Sequence, residues 1–381
     1  MKGKAVIVVV IMITFVSTIA TTPYFQSLNL RSDVVEKGMD SSFRIDDLFS
    51  YKRVYSSEKV HSLNRIRMPH FAIHINGNND FTKMFKGVIE GSGTIDDPYI
   101  IANWYIIPRF LPGVHPLIHI ENTDAYFVIR NCYIYGIRLS NILWNDGIYF
   151  HNVTNGKIEN CHVENCLRGI WIHNSTYNTI ENCYIKEEHF GIYIRRSSHN
   201  IVRDCECDRC TVDGICVSWG NDPYNEYEHI PSSYNLIENC TCHDIYGKDK
   251  IVGAGIYFCC LANSTGNKIM NCRCYNNEYG ILLHNWIYNT TVCGCSLYNN
   301  EYGLRVYTGG NNCIHHNAFI DNKWQAYDPN NDTWYDMSRK EGNYWSDYNG
   351  VDSDGDGIGD EPYKIPGGKN IDLYPLMEWR E

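Results

Sequence analysis

Several groupings of side chains in this 381-residue chain have the types and spacing to do chemistry. The most compact is Asp352-Ser-Asp354-Gly-Asp356-Gly-Ile-Gly-Asp360. Carboxylates at the first, third, fifth and ninth positions, around a glycine at the sixth, suit a hard cation that takes about six to eight oxygen ligands. One structural Ca²⁺ is expected on Asp352, Asp354, Asp356 and Asp360, fastening the chain rather than catalysing. The twelfth position is Tyr363, where a bidentate Glu would complete the set, and Glu361 substitutes only in part. A second grouping is Tyr149, Trp171, Tyr193 and Tyr257, each two residues after a glycine, with His151, His173 and Arg195 two residues further on and His284 at the same place in a later unit. Aromatic rings on a flat β surface stack on the C–H faces of sugars, so Tyr149, Trp171, Tyr193 and Tyr257, with His173 and His284 beside them, form a candidate carbohydrate surface. Ordinary cross-strand stacking would explain the same pattern. His151 and His173 could share a metal, copper among the candidates, although Arg195 beside them opposes a cation. A third grouping, Glu187, Glu188, His189 and Arg195, contains an acid, a base and a cation of the kind that glycan cleavage or epimerisation needs. Glu226, Glu228, His229 and Asp222 in one insertion, and Asp244, Lys248 and Lys250 at another, are further charged groups of that kind.

The elements that must position these residues come from a repeat. From 145 to 325 one pattern returns about every 22 residues, as in ENCHVENCLRGIWIHNSTYNTI followed by ENCYIKEEHFGIYIRRSSHNIV. Its register is carried by Gly147, Gly169, Gly191, Gly214, Gly255, Gly280 and Gly303, and again by Cys161, Cys183, Cys205, Cys240, Cys272 and Cys295. Each unit holds short runs with period-2 alternation, separated by Gly or Asn where the chain must turn and positive φ is often needed. Such units are coils of a parallel β-helix, and they bury a core only by stacking. Stacking places Ile170, Ile192, Ile215, Ile256, Ile281 and Leu304 in one inward column. Asn160, Asn182, Asn239 and Asn271 form another, read as an amide ladder with Asn239 facing inward. Cys207, Cys242 and Cys274 take places filled by Val163, Ile185 and Leu297 in sister units, so the cysteines act as small buried hydrophobes, with an occasional bridge expected at Cys259 or Cys260.

The net charge is −11 and no basic run offsets it, which excludes a nucleic-acid partner. Residues 1–20 carry Lys2 and Lys4 before an apolar run, reading as a secretory signal or an uncleaved N-terminal anchor, the only expected membrane contact. The repeats are therefore expected outside the cytoplasm, secreted or attached to the cell surface. Sequons at Asn152, Asn174, Asn239, Asn263, Asn289 and Asn331 suit that location. Residues 21–68 read as an irregular lead-in, 69–116 as an N-terminal cap, 117–327 as the parallel β-helix, and 328–381 as a C-terminal cap holding the Asp-rich loop. Insertions at 219–234 and 245–254 place long loops on adjacent coils.

Three segments carry a resemblance to a known family: the GNNDF…GSGTIDDPYII run, the Asn-Cys/Gly-Ile coils, and GNYWSDYNGVDSDGDGIGDEPY. Together, over about 69–381, they resemble the NosD-like parallel β-helix family of archaeal and bacterial surface proteins. The resemblance implies a pectin-lyase-like right-handed β-helix, an extracytoplasmic location, and domains linked to carbohydrate binding and sugar hydrolysis. For NosD itself it implies an accessory role in assembling the copper site of nitrous oxide reductase. The expectation is a monomeric all-β solenoid that binds a polysaccharide or cell-surface glycan without catalysis. A polysaccharide-active enzyme and a copper-related accessory are the alternatives.

Overall fold

The computed structural model describes residues 67–379, apart from 109–115, 137–144, 223–224, 248–252 and 261–262, and without the side chains of 107 and 220–229. The expected leader, nearly all of the lead-in, Lys248, Lys250, and the side chains of Asp222, Glu226, Glu228 and His229 lie outside the described residues.

Each coil gives one strand to each of three sheets, which run side by side along the solenoid. Sheet I has 10 strands, from Ile73–Asn76 to Trp324–Tyr327, and includes the six-residue strands that begin at the glycine column. Sheet II also has 10, from Val88–Glu90 and Tyr99–Ala102 to Cys313–His315. Sheet III has 11, from Met68–Phe71 to Tyr344–Trp345. All neighbours are parallel except Val88–Glu90, which runs antiparallel to Tyr99–Ala102. The architecture is a right-handed parallel β-helix, the sense that connections between parallel strands take almost without exception. Residues 69–116, read from the sequence as a cap, already give strands to all three sheets.

The inward isoleucine column lies in register as expected, and Ile170, Ile192, Ile215, Ile256, Ile281 and Leu304 are fully buried. All 17 cysteines are free thiols, so the bridge expected at Cys259 or Cys260 is absent. In the main column each Sγ lies near two backbone carbonyls. Cys205, for example, donates to Arg203 O at 3.2 Å and Ile180 O at 3.8 Å. The sulfur thus fills a small gap and partners the corner backbone, the role of a polar-tipped hydrophobe.

Two sequence readings need correction. Asn160, Asn182, Asn239 and Asn271 are exposed, not an inward ladder, and Asn239 with its sequon faces solvent. They sit at φ of 51–54°, where the chain turns from sheet II to sheet III. Asn is selected there because it tolerates the left-handed region better than other L-residues. The buried ladder is built from Asn178, Asn200, Asn235 and Asn267. The backbone N–H of Asn178 donates to Asn200 Oδ1 at 3.0 Å, that of Asn200 to Asn235 Oδ1 at 3.0 Å, and that of Asn235 to Asn267 Oδ1 at 2.9 Å. The glycine column also has a different cause. Its φ angles are ordinary. A Cβ on Gly191 would lie 2.5 Å from Gly214 O in the next coil, so close backbone approach, not positive φ, excludes a side chain.

Candidate functional site

The outer surface of sheet I carries the residues singled out from the sequence. Register places His74, His119, Tyr149, Trp171, Tyr193, Cys216, Tyr257, Leu282, Arg305 and Tyr327 in one row. Asn76, Glu121, His151, His173, Arg195, Ser218, Cys259 and His284 form the row beside it. The four aromatics are thus on one surface as expected, but Cys216 interrupts them and all four are half-buried. Their faces are largely taken. Ring centroids are 4.8 Å apart for His119–Tyr149 and 4.2 Å for Tyr149–Trp171, nearly parallel in each case. The Arg168 guanidinium lies 3.6 Å over the Trp171 ring, held by Asp146 at 2.7 and 3.0 Å. A ring stacked on its neighbours turns an edge outward, so the row presents edges rather than open faces for sugar stacking, and the Trp171 indole N–H is itself buried without a hydrogen-bond partner.

The same surface gathers imidazoles. His151 Nδ1 is 3.3 Å from His173 Nδ1, and the Tyr149 hydroxyl is 3.1 Å from that atom. Burial first, then the nearby His151 and Arg195, pulls His173 down to about 4. The Tyr257 hydroxyl meets His284 Nδ1 at 2.8 Å. Sequence reading missed the residues that extend this cluster: His74, stacked on His119, and Glu121, whose Oε1 is 2.8 Å from His74 Nε2. The signal was present, because Ile-His-Ile-Asn and Ile-His-Ile-Glu-Asn repeat the Ile-Tyr-Phe-His-Asn of later coils without the preceding glycine.

The acid-base cluster does not assemble. Glu187 is exposed at a corner and pairs with Arg209 at 3.2 Å. Glu188 turns inward, 1% exposed, where it accepts the Cys166 N–H. His189 meets the Thr211 hydroxyl, and Arg195 lies on sheet I, its Nε 3.3 Å from Trp219 O. The alternation that sends Arg195 outward cannot be extended through the corner at Glu187, whose φ of 60° reverses the chain. Glu188 therefore cannot meet a surface substrate.

A second cluster, unforeseen from the sequence, lies on the outer side of sheet II. Met270, Cys293 and His315 are paired residues of consecutive strands. Donor atoms of Cys293, His315 and His316 all lie within 4.8 Å of one another. His316 Nε2 is 2.6 Å from Glu341 Oε2, so Nδ1 is the nitrogen that faces His315 Nδ1, 2.5 Å away. Burial lowers His315 and raises the Cys293 thiol to about 11. The clue was that Cys293 and Cys313 fall outside the inward cysteine registers; with Cys259 they are the only thiols not fully buried.

Residues 119–350 match the family described as periplasmic copper-binding protein (NosD). The chain belongs to the NosD family. No match emerged among curated proteins. Among solved structures, this NosD-family chain is similar to tailspike protein 2 of the Escherichia coli O157:H7 bacteriophage CAB120, at 13% identity and TM-score 0.51 over 80% of this chain and 41% of that one. It is also similar to the Geobacillus virus E2 ORF18 protein (14%, TM-score 0.47, 70% and 57% covered) and to an alginate lyase from Paenibacillus sp. str. FPU-7 (13%, 0.47, 70% and 97%). The chain thus spans well under two thirds of the two viral proteins, and at these identities the likeness speaks to fold alone. For a copper family the fit lies in the donor set: one thiol and two imidazoles are soft to borderline ligands that suit Cu(I). Of the Asp-rich loop in this NosD-family chain, Asp352, Asp354 and Asp356 converge within 4.8 Å. Asp360 does not join that set, and its Oδ2 accepts the Ser353 N–H at 3.1 Å.

Proposed function

We propose that this protein is an extracytoplasmic, non-catalytic β-helix that binds copper on Cys293, His315 and His316, with Met270 beside them. The convergence of a half-buried thiol and two imidazoles at the edge of sheet II, with His316 at the corner just past its strand, carries this reading. Glu341 supports it by holding the far nitrogen of His316, an arrangement that orients metal-binding histidines. Bound copper would supply a soft Lewis-acidic centre; the chain's part is to orient the imidazoles and release the Cys293 proton on binding. The test is anaerobic competition for Cu(I) against a chromogenic chelator. The parent should take one equivalent at this site, and Cys293→Ser and His316→Ala should each weaken it about 10- to 100-fold. Equal copper retention in parent and both variants would sink the reading.

A second reading, glycan binding along sheet I, is supported by the row of polar aromatic edges from Tyr149 to Tyr257 beside His173, Arg195 and His284. A linear polysaccharide would be held there by hydrogen bonds more than by stacking. Trp171→Ala should abolish co-elution with a polysaccharide that the parent retains, and a parent that retains none from a panel of neutral and acidic polymers removes this reading. A structural Ca²⁺ on Asp352, Asp354 and Asp356 accompanies either reading.

A further inference from the structure

The outer side of sheet III holds a third cluster with a different chemistry. Asp208 and His243 are directly paired across consecutive coils, and Asp244 follows at a corner with φ 58°. His243 Nδ1 lies 2.7 Å from Asp244 Oδ2 and 3.8 Å from Asp208 Oδ1, and all three donor atoms fall within 4.8 Å of one another. Asp208 is 3% exposed. Its Oδ2 accepts the Tyr184 hydroxyl at 2.8 Å and pairs with Arg209 Nη2 at 3.0 Å, whereas its buried Oδ1 accepts no hydrogen bond. A bare acceptor in a buried place is unfavourable unless something fills it, and this one is aimed at the imidazole.

The surroundings are those of oriented ligands. His243 Nε2 is 3.4 Å from Glu206 Oε1, and the ring lies parallel to Tyr275 at 4.8 Å. Asp244 Oδ1 accepts the Asn276 amide at 3.1 Å. Every candidate ligand is therefore fixed through an atom other than the one that faces its fellows, which is how outer contacts position metal ligands.

We propose that Asp208 Oδ1, His243 Nδ1 and Asp244 Oδ2 bind a divalent cation of borderline character, Mn²⁺ or Zn²⁺, with Glu206 holding the proton on His243 Nε2. Any proton on Nδ1 leaves as the metal–nitrogen bond forms. Two carboxylates and one imidazole favour such ions over Cu(I), which prefers sulfur. The site is thus independent of the copper reading. Without a metal, the same atoms form only an imidazolium ringed by carboxylates, and the experiment separates the two. The full-length protein is dialysed to equilibrium against Mn²⁺ or Zn²⁺, with Mn²⁺ followed also by electron paramagnetic resonance. The parent and Cys293→Ser should share one equivalent that Asp208→Asn and His243→Gln lose, a weakening of at least about tenfold. Asp244→Asn changes a more exposed ligand and serves as the readout if the buried variants misfold by circular dichroism. Asp244→Asn or Asp208→Asn binding like the parent overturns the proposal, as does a parent whose entire uptake disappears on removing Cys293 and Asp354.

Discussion

A single buried carboxyl illustrates what residue-level chemistry does in this solenoid. Glu188 stands in a corner column that Asn277, Asn300 and Asn322 fill in later coils. Those asparagines accept an N–H through Oδ1 and donate through Nδ2; Asn300 accepts from Asn277 N at 3.0 Å and donates to Cys274 O at 2.9 Å. Glu188 accepts the Cys166 N–H, but its Oε1 has no hydrogen-bond partner. Burial, and secondarily the charges of Glu164, Asp146 and Glu187, pushes its pKa well above the usual carboxylate range. The sign follows. Below that range, folded and unfolded chains both keep the proton and nothing is lost. As pH rises through it, the unfolded chain releases the proton while the folded chain retains it, so stability falls by up to about 1.4 kcal/mol per pH unit until the folded group ionises. Glu188→Gln keeps the acceptor and removes the titration. Its melting temperature should vary less between pH 5 and 8 than the parent's and exceed it at pH 8; a variant less stable than the parent at pH 8 would show that the carboxylate is needed.

At the scale of elements, the coil period and the inward aliphatic column were legible, because glycine and cysteine mark the register and aliphatic alternation marks the face, whereas the division of each coil into three strands was not. The polar ladder was misplaced, because asparagine recurs at more than one corner for different reasons. The buried ladder had its own signature, Ser-x-x-Asn, at Ser175/Asn178, Ser197/Asn200, Ser232/Asn235 and Ser264/Asn267, and those serines stack as well: the Ser175 N–H donates to Ser197 Oγ at 3.0 Å. The side-chain clusters on sheets II and III were illegible for a related reason: spacing reveals columns within a sheet, but not which outward neighbours a corner brings together, as His316 joins Cys293. The two asparagine roles separate experimentally. Asn182 needs only positive φ, so Asn182→Gly should change stability by less than about 1 kcal/mol. Asn200→Gly would strip the Asn178 N–H and the Ser175 and Ser198 carbonyls of their partner, and should cost about 3 kcal/mol or more. Denaturant melts that gave the two variants equal stability would refute this division.

On the scale of the whole molecule, a solenoid gains stability from each coil's contact with its neighbours, and its weak points are its ends. The last coil is covered by aromatic layers: Trp345 lies between Phe319 at 4.3 Å and Tyr363 at 4.1 Å, and its indole N–H reaches Asp372 at 3.0 Å. Tyr363 belongs to the hairpin of Tyr363–Lys364 with Ile371–Asp372, and the Asp-rich loop directly precedes it. Inside that loop Asp352 accepts the N–H groups of Gly355 and Gly357 at 2.7 and 2.9 Å, which sets the turn but leaves three carboxylates of like charge close together. A cation there would relieve the repulsion and hold the chain that delivers Tyr363 to Trp345. Ligand binding to the folded state alone adds about 2.7 kcal/mol at 100 times the dissociation constant. Millimolar Ca²⁺ should therefore raise the melting temperature, EGTA should reverse the gain, and Asp354→Asn should abolish the response. Because the covered end is local, hydrogen exchange on Ca²⁺ removal should rise first around Ala318–Ile320 and Trp345, with the coils near Ile170 unchanged. Identical melting in Ca²⁺ and EGTA would mean that the aromatic layers hold this end unaided.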